Sequence, residues 1–133
     1  MDELTDEQWQ ERLSPARYRI LRQGETELPG SGTLLHNSEH GSYSCAACHQ
    51  VLFDSETKFD SSSGWPSFCD VKDSERVKLV SDSSHGMSRI EVRCKRCGSH
   101  LGHLFSDGPQ PTGQRYCINS LALDFDPDSS DNA

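Results

Sequence analysis

Arg115-Tyr116-Cys117-Ile118-Asn119-Ser120 is the stretch around which the chain is organised. As a strand, it sends alternate side chains to opposite faces with a period of two residues. Arg115, Cys117 and Asn119 then share one face, and Tyr116 and Ile118 point to the other. A cysteine flanked on its own face by a fixed cation and an amide sits where a thiolate, the reactive form, is favoured. The same residues fit a packed, inert cysteine equally well, because free cysteine is among the most buried residue types.

Outward from this strand the chain reads as mostly β. The loop Gly108-Pro109-Gln110-Pro111-Thr112-Gly113 leads into it. Further upstream, Arg76-Val77-Lys78-Leu79 and Arg89-Ile90-Glu91-Val92-Arg93 both alternate polar with apolar residues. The turn-rich Ser81-Asp82-Ser83-Ser84-His85-Gly86 between them predicts an antiparallel hairpin. Val51-Leu52-Phe53 and Lys58-Phe59-Asp60 are short strand candidates, and Leu121 to Phe125 closes the chain. Residues 126 to 133 are polar and read as a frayed tail. Near the N-terminus, Thr5 and Gln8 form a capping box. Ser14 with Pro15 opens a second helix for which Gly24 is the expected stop. The expectation is one domain over 1–133 with its core at about 15–125.

Bulk composition narrows the function classes. The 133 residues are 32% hydrophobic and 26% charged, a lean core that gains from a covalent or metal staple. A formal net charge of -8 argues against a sequence-independent grip on nucleic acid or an anionic membrane. No apolar run approaches the roughly 18 residues of a membrane span. The acidic start, Met1 to Glu7, is unlike a signal peptide, so a cytoplasmic protein with reduced thiols is expected. A monomer is the default.

Four of the six cysteines form two Cys-x-x-Cys pairs, Cys45/Cys48 and Cys94/Cys97. Two such turns supply a tetrahedral four-sulfur shell, the usual structural zinc (Zn2+) site. Two disulfides, iron in the same shell, and a haem attached at Cys45-Ala46-Ala47-Cys48-His49 are the alternatives, with His49 a competing fourth ligand. Cys69 and Cys117 are left over. His100 and His103, three apart around Gly102, are candidate general acids near neutral pH. His36, His40, His49 and His85 read as surface or packed histidines. Trp65, in a turn between Gly64 and Pro66, suits an aromatic wall for a small apolar group.

Together, the two cysteine pairs, Lys58-Phe59-Asp60, Gly64-Trp65-Pro66-Ser67-Phe68, His100-Leu101-Gly102-His103, Asp107-Gly108-Pro109, Pro111-Thr112-Gly113 and Arg115 to Ser120 resemble the B-type methionine sulfoxide reductase family. The resemblance covers about residues 15 to 125. It implies a mainly β fold of two antiparallel sheets with short N-terminal helices, stapled by a four-cysteine zinc site. It implies thiol-dependent reduction of methionine-R-sulfoxide, free or protein-bound, through a sulfenic acid on Cys117 that repairs oxidative damage. His103, with His100 beside it, would supply the proton. Asn119 would hold substrate or water, and Arg115 would favour the thiolate. Trp65 and Phe105 would bind the substrate. Thioredoxin or another thiol would be the reductant.

One position departs from the pattern. Many members carry a resolving cysteine just before Gly-Trp-Pro, where this chain has Ser63. Either an external thiol then reduces Cys117 directly, or Cys69 resolves it as a disulfide. The rival readings are a zinc-knuckle binding module with Cys117 merely packed, and a different zinc-containing thiol oxidoreductase.

Overall fold

The structure, a computed structural model, describes residues 4–61, 63–83, 86, 88–110 and 112–127. His85, Pro111, the first three residues and residues 128–133 of the expected tail lie outside that set.

Two short helices open the chain. In α1 (Asp6–Arg12) the Gln8 N–H donates to Thr5 Oγ1 at 3.2 Å, and the Thr5 N–H donates to Gln8 Oε1 at 2.9 Å. In α2 (Pro15–Leu21) the Ser14 hydroxyl accepts from the Arg17 N–H. Seven residues are too few for a helix to persist alone. Both are held by burying Trp9, Tyr18, Ile20 and Leu21. Helix α2 stops at Leu21; the expected stop, Gly24, lies past the cap in a left-handed conformation (φ 74°). Arg22, the C-cap, stacks over Trp9 at 4.5 Å and donates to the Cys97 carbonyl at 2.8 Å.

The strands are β1 (Gly41–Cys45), β2 (Val51–Asp54), β3 (Lys58–Phe59), β4 (Ser67–Phe68), β5 (Val77–Asp82), β6 (Arg89–Cys94), β7 (His100–Phe105), β8 (Arg115–Ile118) and β9 (Leu123–Pro127). They form a three-stranded sheet, β2-β1-β9, and a six-stranded sheet, β3-β4-β8-β7-β6-β5. Every pairing is antiparallel. The hairpin of β5 and β6 forms as its alternation predicts, from Val77↔Cys94 to Asp82↔Arg89. Toward its tip, Leu79 and Ile90 emerge into solvent. Strand β9 reaches Pro127, which pairs with Gly41, so residues 126 and 127 belong to the sheet rather than to a tail. Backbone pairing does not require apolar side chains, which is why polarity alone misplaced that boundary.

Aromatic rings join the sheets. Phe68 of β4 stacks on Phe53 of β2 at 4.3 Å and meets Tyr43 of β1 edge-on at 5.0 Å; Tyr116 of β8 approaches Phe53 at 5.7 Å. Such pairs add about 0.5–1.5 kcal/mol each beyond the area they bury. Tyr116 and Ile118 thus face the core, which leaves Cys117 on the far side of its sheet.

Strand β8 ends at Ile118, one residue short of Asn119. Asn119 keeps an extended backbone (φ −68°, ψ 133°) before the 3-10 turn Ser120–Ala122, so it stays on the Cys117 face. Beside it, Gly102 of β7 pairs with Ile118, and a methyl group there would land on the Cys117 carbonyl, far inside van der Waals contact. Gly102→Ala is therefore expected to lower stability by about 1–3 kcal/mol through overpacking. Urea denaturation read by tryptophan fluorescence checks this; an unchanged midpoint would contradict so close an approach of β7 and β8.

Candidate active site and a four-thiol cluster

Cys117 sits between two neighbours across the ladder. It is the register partner of Ser67 on β4 and of His103 on β7, and partners in register project from the same face. That face opens into a cavity of about 190 Å³ lined by Cys117, Ser63, Trp65, His103, Phe105, Arg115 and Asn119, among others. A cavity of about 150 Å³ is enough to hold a benzene ring, so this one suits a single small side chain.

Each wall is fixed by its own hydrogen bonds. The Trp65 indole N–H donates to the Glu27 carbonyl at 3.0 Å. Asn119 Oδ1 accepts from the Glu27 N–H at 3.0 Å, and its Nδ2 donates to the Leu101 carbonyl at 3.1 Å. An amide NH₂ carries two hydrogens, so one remains for an occupant of the cavity. The Arg115 guanidinium stacks over Phe105 at 4.5 Å and grips the exposed Asp107 carboxylate from Nε (2.8 Å) and from the terminal nitrogen (3.3 Å). Gly64 (φ 95°) turns the chain so that Trp65 faces inward, and its carbonyl accepts from the Gly30 N–H at 2.7 Å.

The thiol itself departs from expectation. Burial pushes the Cys117 pKa up, and the Ser63 hydroxyl and the Arg115 charge only partly oppose this. Arg115 acts in the predicted direction, but desolvation of the thiolate wins in the resting protein. Ser63 Oγ lies 3.9 Å from Cys117 Sγ, within a web that includes the Ser61 and Ser67 hydroxyls. Cys69 does not line this cavity; its N–H donates to the Thr57 carbonyl and its own carbonyl accepts from the Thr112 hydroxyl.

The two histidines separate. His103 lines the cavity, and its Nε2 lies 2.8 Å from Asp82 Oδ2. His100 lies behind it, rings 5.5 Å apart, with Nδ1 2.6 Å from Glu91 and Nε2 buried without a partner among the described residues. Burial lowers the His100 pKa, against the opposing pull of Glu91. A second, polar cavity of about 200 Å³ contains His100 and shares His103 with the first. Glu27, Asp82 and Glu91 have no role assigned from the sequence, and Asp107 enters there only within the Asp107-Gly108-Pro109 motif. What points to Glu27, Asp82 and Glu91 is contact in space, since none of the three belongs to a local spacing pattern.

The four paired cysteines converge. Cys45 and Cys48 occupy the β1–β2 turn, and Cys94 and Cys97 the β6–β7 turn. All four sulfurs lie within 4.8 Å of one another, with Cys45–Cys97 at 3.7 Å and Cys48–Cys94 at 3.5 Å. A tetrahedral zinc with bonds of about 2.3 Å sets sulfurs about 3.8 Å apart, so the cluster fits a metal ion. Sulfurs joined in a disulfide lie about 2.05 Å apart; here all six cysteines are free thiols. The two turns repeat one geometry: the His49 and Gly98 N–H groups each donate 2.7 Å back to the first cysteine's carbonyl, at φ 70° and 78°. The His49 side chain is 73% exposed and faces Asp124, not the sulfurs. Hydrogen bonds among the sulfurs push the Cys45 thiol up and draw the Cys97 thiol down.

Among the described residues no helix is long and apolar enough to cross a membrane. The family model of the SelR domain matches residues 13–127. Peptide methionine sulfoxide reductase MsrB of Methanosarcina mazei is 60% identical over 123 residues, covering 92% of this chain and 88% of the relative. The MsrB of Methanosarcina barkeri is 59% identical over 123 residues (92% and 87%), and that of Leptospira interrogans 54% over 121 residues (91% and 92%).

Metal removal is expected to loosen both hairpin turns. A divalent ion at about a thousand times its Kd stabilises by ~4 kcal/mol, so a chelator should lower the urea midpoint and metal return should restore it. For Cys117, the upward shift leaves less thiolate at neutral pH than an ordinary cysteine has. Its iodoacetamide alkylation, followed by peptide mass spectrometry, should lag that of free cysteine at pH 7 and climb as pH rises through the elevated pKa.

Proposed function

This chain belongs to the SelR family of MsrB-type methionine sulfoxide reductases, and from that premise we propose which of its residues carry out the reaction. The chain is an oxidoreductase that reduces methionine-R-sulfoxide to methionine by thiol chemistry. The observation that supports assigning the thiol to Cys117 is its place in the small cavity, beside a histidine, an amide N–H, a guanidinium and an indole.

The Cys117 sulfur attacks the sulfoxide sulfur, and His103 delivers a proton to the oxygen. The oxygen then passes as hydroxide to the Cys117 sulfur while the transient bond between the two sulfurs and the substrate's sulfur–oxygen bond break, so methionine leaves and Cys117 becomes a sulfenic acid, the reversible rung of cysteine oxidation. Two electrons pass from cysteine to substrate. Trp65 and Phe105 enclose the methyl group and favour one epimer. The free Asn119 N–H holds the oxygen, and Arg115 supports the thiolate as the substrate displaces water. His100 backs His103 from the adjoining cavity.

Two equivalents of an external thiol, thioredoxin being the family's expectation, then return Cys117 to the thiol and release water. Ser63 favours this direct route: its hydroxyl lies 3.9 Å from the Cys117 sulfur and forms no disulfide. Cys69 lies outside the cavity, which disfavours it as the resolving thiol. Cys45, Cys48, Cys94 and Cys97 would hold one zinc ion, which would serve the fold rather than the reaction. A monomeric, single-domain cytoplasmic protein that repairs oxidised proteins completes the reading.

One turnover without reductant tests it. Wild type should yield one methionine per chain from the R epimer and an acid at Cys117 that dimedone traps. Cys117→Ser should yield none while retaining its metal. Ser63→Cys should convert the acid to a disulfide between the introduced thiol and Cys117, because the replaced oxygen lies 3.9 Å from the sulfur. A Cys69–Cys117 disulfide in wild type would overturn the direct route, and turnover by Cys117→Ser would overturn the assignment of the nucleophile.

A further inference from the structure

We propose that Asp82 is the positioning residue of the catalytic acid, fixing the His103 ring so that Nδ1 is the atom that delivers the proton. The inference rests on the reading of His103 as the acid.

An imidazole has two nitrogens, and the bond made by one determines the role of the other. Here Nε2 lies 2.8 Å from Asp82 Oδ2. An ionised carboxylate only accepts hydrogen bonds, so Nε2 carries a hydrogen and donates. Nδ1 is then the sole remaining nitrogen with which His103, a lining residue of the Cys117 cavity, can serve an occupant. Proton delivery from Nδ1 leaves a neutral ring whose Nε2–H still donates to Asp82, so the orientation survives turnover.

Asp82 is itself held. It is the register partner of Arg89 at the end of the hairpin, and the Arg89 guanidinium donates to the same Oδ2 at 3.3 Å. The His103 side chain therefore reaches past its own neighbour β6 to the edge strand β5. The hairpin has a task beyond covering the sheet: it aims the acid. His100 cannot take over, because its Nδ1 is committed to Glu91 and it does not line the Cys117 cavity.

A double-mutant cycle on the metal-loaded full chain tests this, with Asp82→Asn, His103→Asn and both together. Rates are taken from single turnovers and divided by the fraction of chains that release methionine, so that misfolded protein does not count. General acids contribute typically about 10²–10⁴-fold, so His103→Asn should lose on that order in rate. Asp82→Asn should lose at least about tenfold in the same step with KM little changed. In the His103→Asn background it should cost nothing further, and Asp82→Glu should recover part of the rate in the native background. A full rate for Asp82→Asn alongside a slow His103→Asn would overturn the positioning role and leave His103 as the acid. Multiplying losses in the double variant would overturn it as well. A full rate for His103→Asn would instead overturn the acid assignment itself.

Discussion

Four sulfurs within 4.8 Å of one another tie together two sheets that share no ladder. One pair comes from the β1–β2 turn of the small sheet and the other from the β6–β7 turn of the large one. A metal ion held at such a joint would contribute its binding energy to folding, which suits a chain that is only 32% hydrophobic. The consequence reaches the site. Strand β7 begins three residues after Cys97, and its register sets His103 opposite Cys117. Arg22 adds a second fastening by clamping the N-terminal helices onto the same turn through the Cys97 carbonyl. The joint thus holds the strand that carries both histidines.

The site sets desolvation against charge. Burial keeps the Cys117 proton in place, and Arg115 with the Ser63 hydroxyl works the other way. A resting thiol is a poor nucleophile, so it is a poor target for adventitious electrophiles. Arg115 cannot simply be brought closer, because its guanidinium is held between Phe105 and Asp107. The surrounding polar groups are almost all committed to one another. The indole and the amide are fixed by the backbone of Glu27, and the histidines by Asp82 and Glu91. Groups already oriented need little rearrangement when the charge beside them changes.

Much of this was legible in the linear sequence. Capping chemistry placed both helices, because a cap is a contact over three residues. Period-two alternation placed the β5–β6 hairpin and the two faces of β8, because a strand's side chains are assigned by parity alone. The Cys-x-x-Cys spacing picked out the four thiols that converge, because two residues between thiols build a knuckle by local geometry. Polarity was a weaker guide at the C-terminus, where β9 pairs two residues further than it suggested.

The linear sequence was therefore enough to locate the elements and the four thiols able to hold a metal ion. Which groups surround Cys117, and which histidine lines its cavity, was settled only when the strands paired. Arg115, two residues away in sequence, argued for a thiolate; burial by residues remote in the chain outweighed it, since desolvation sums over every neighbour in space. Likewise, Asp82 is 21 residues from His103 and Glu27 is 92 from Asn119. No spacing rule spans such gaps. Their roles come into being when the strands pair.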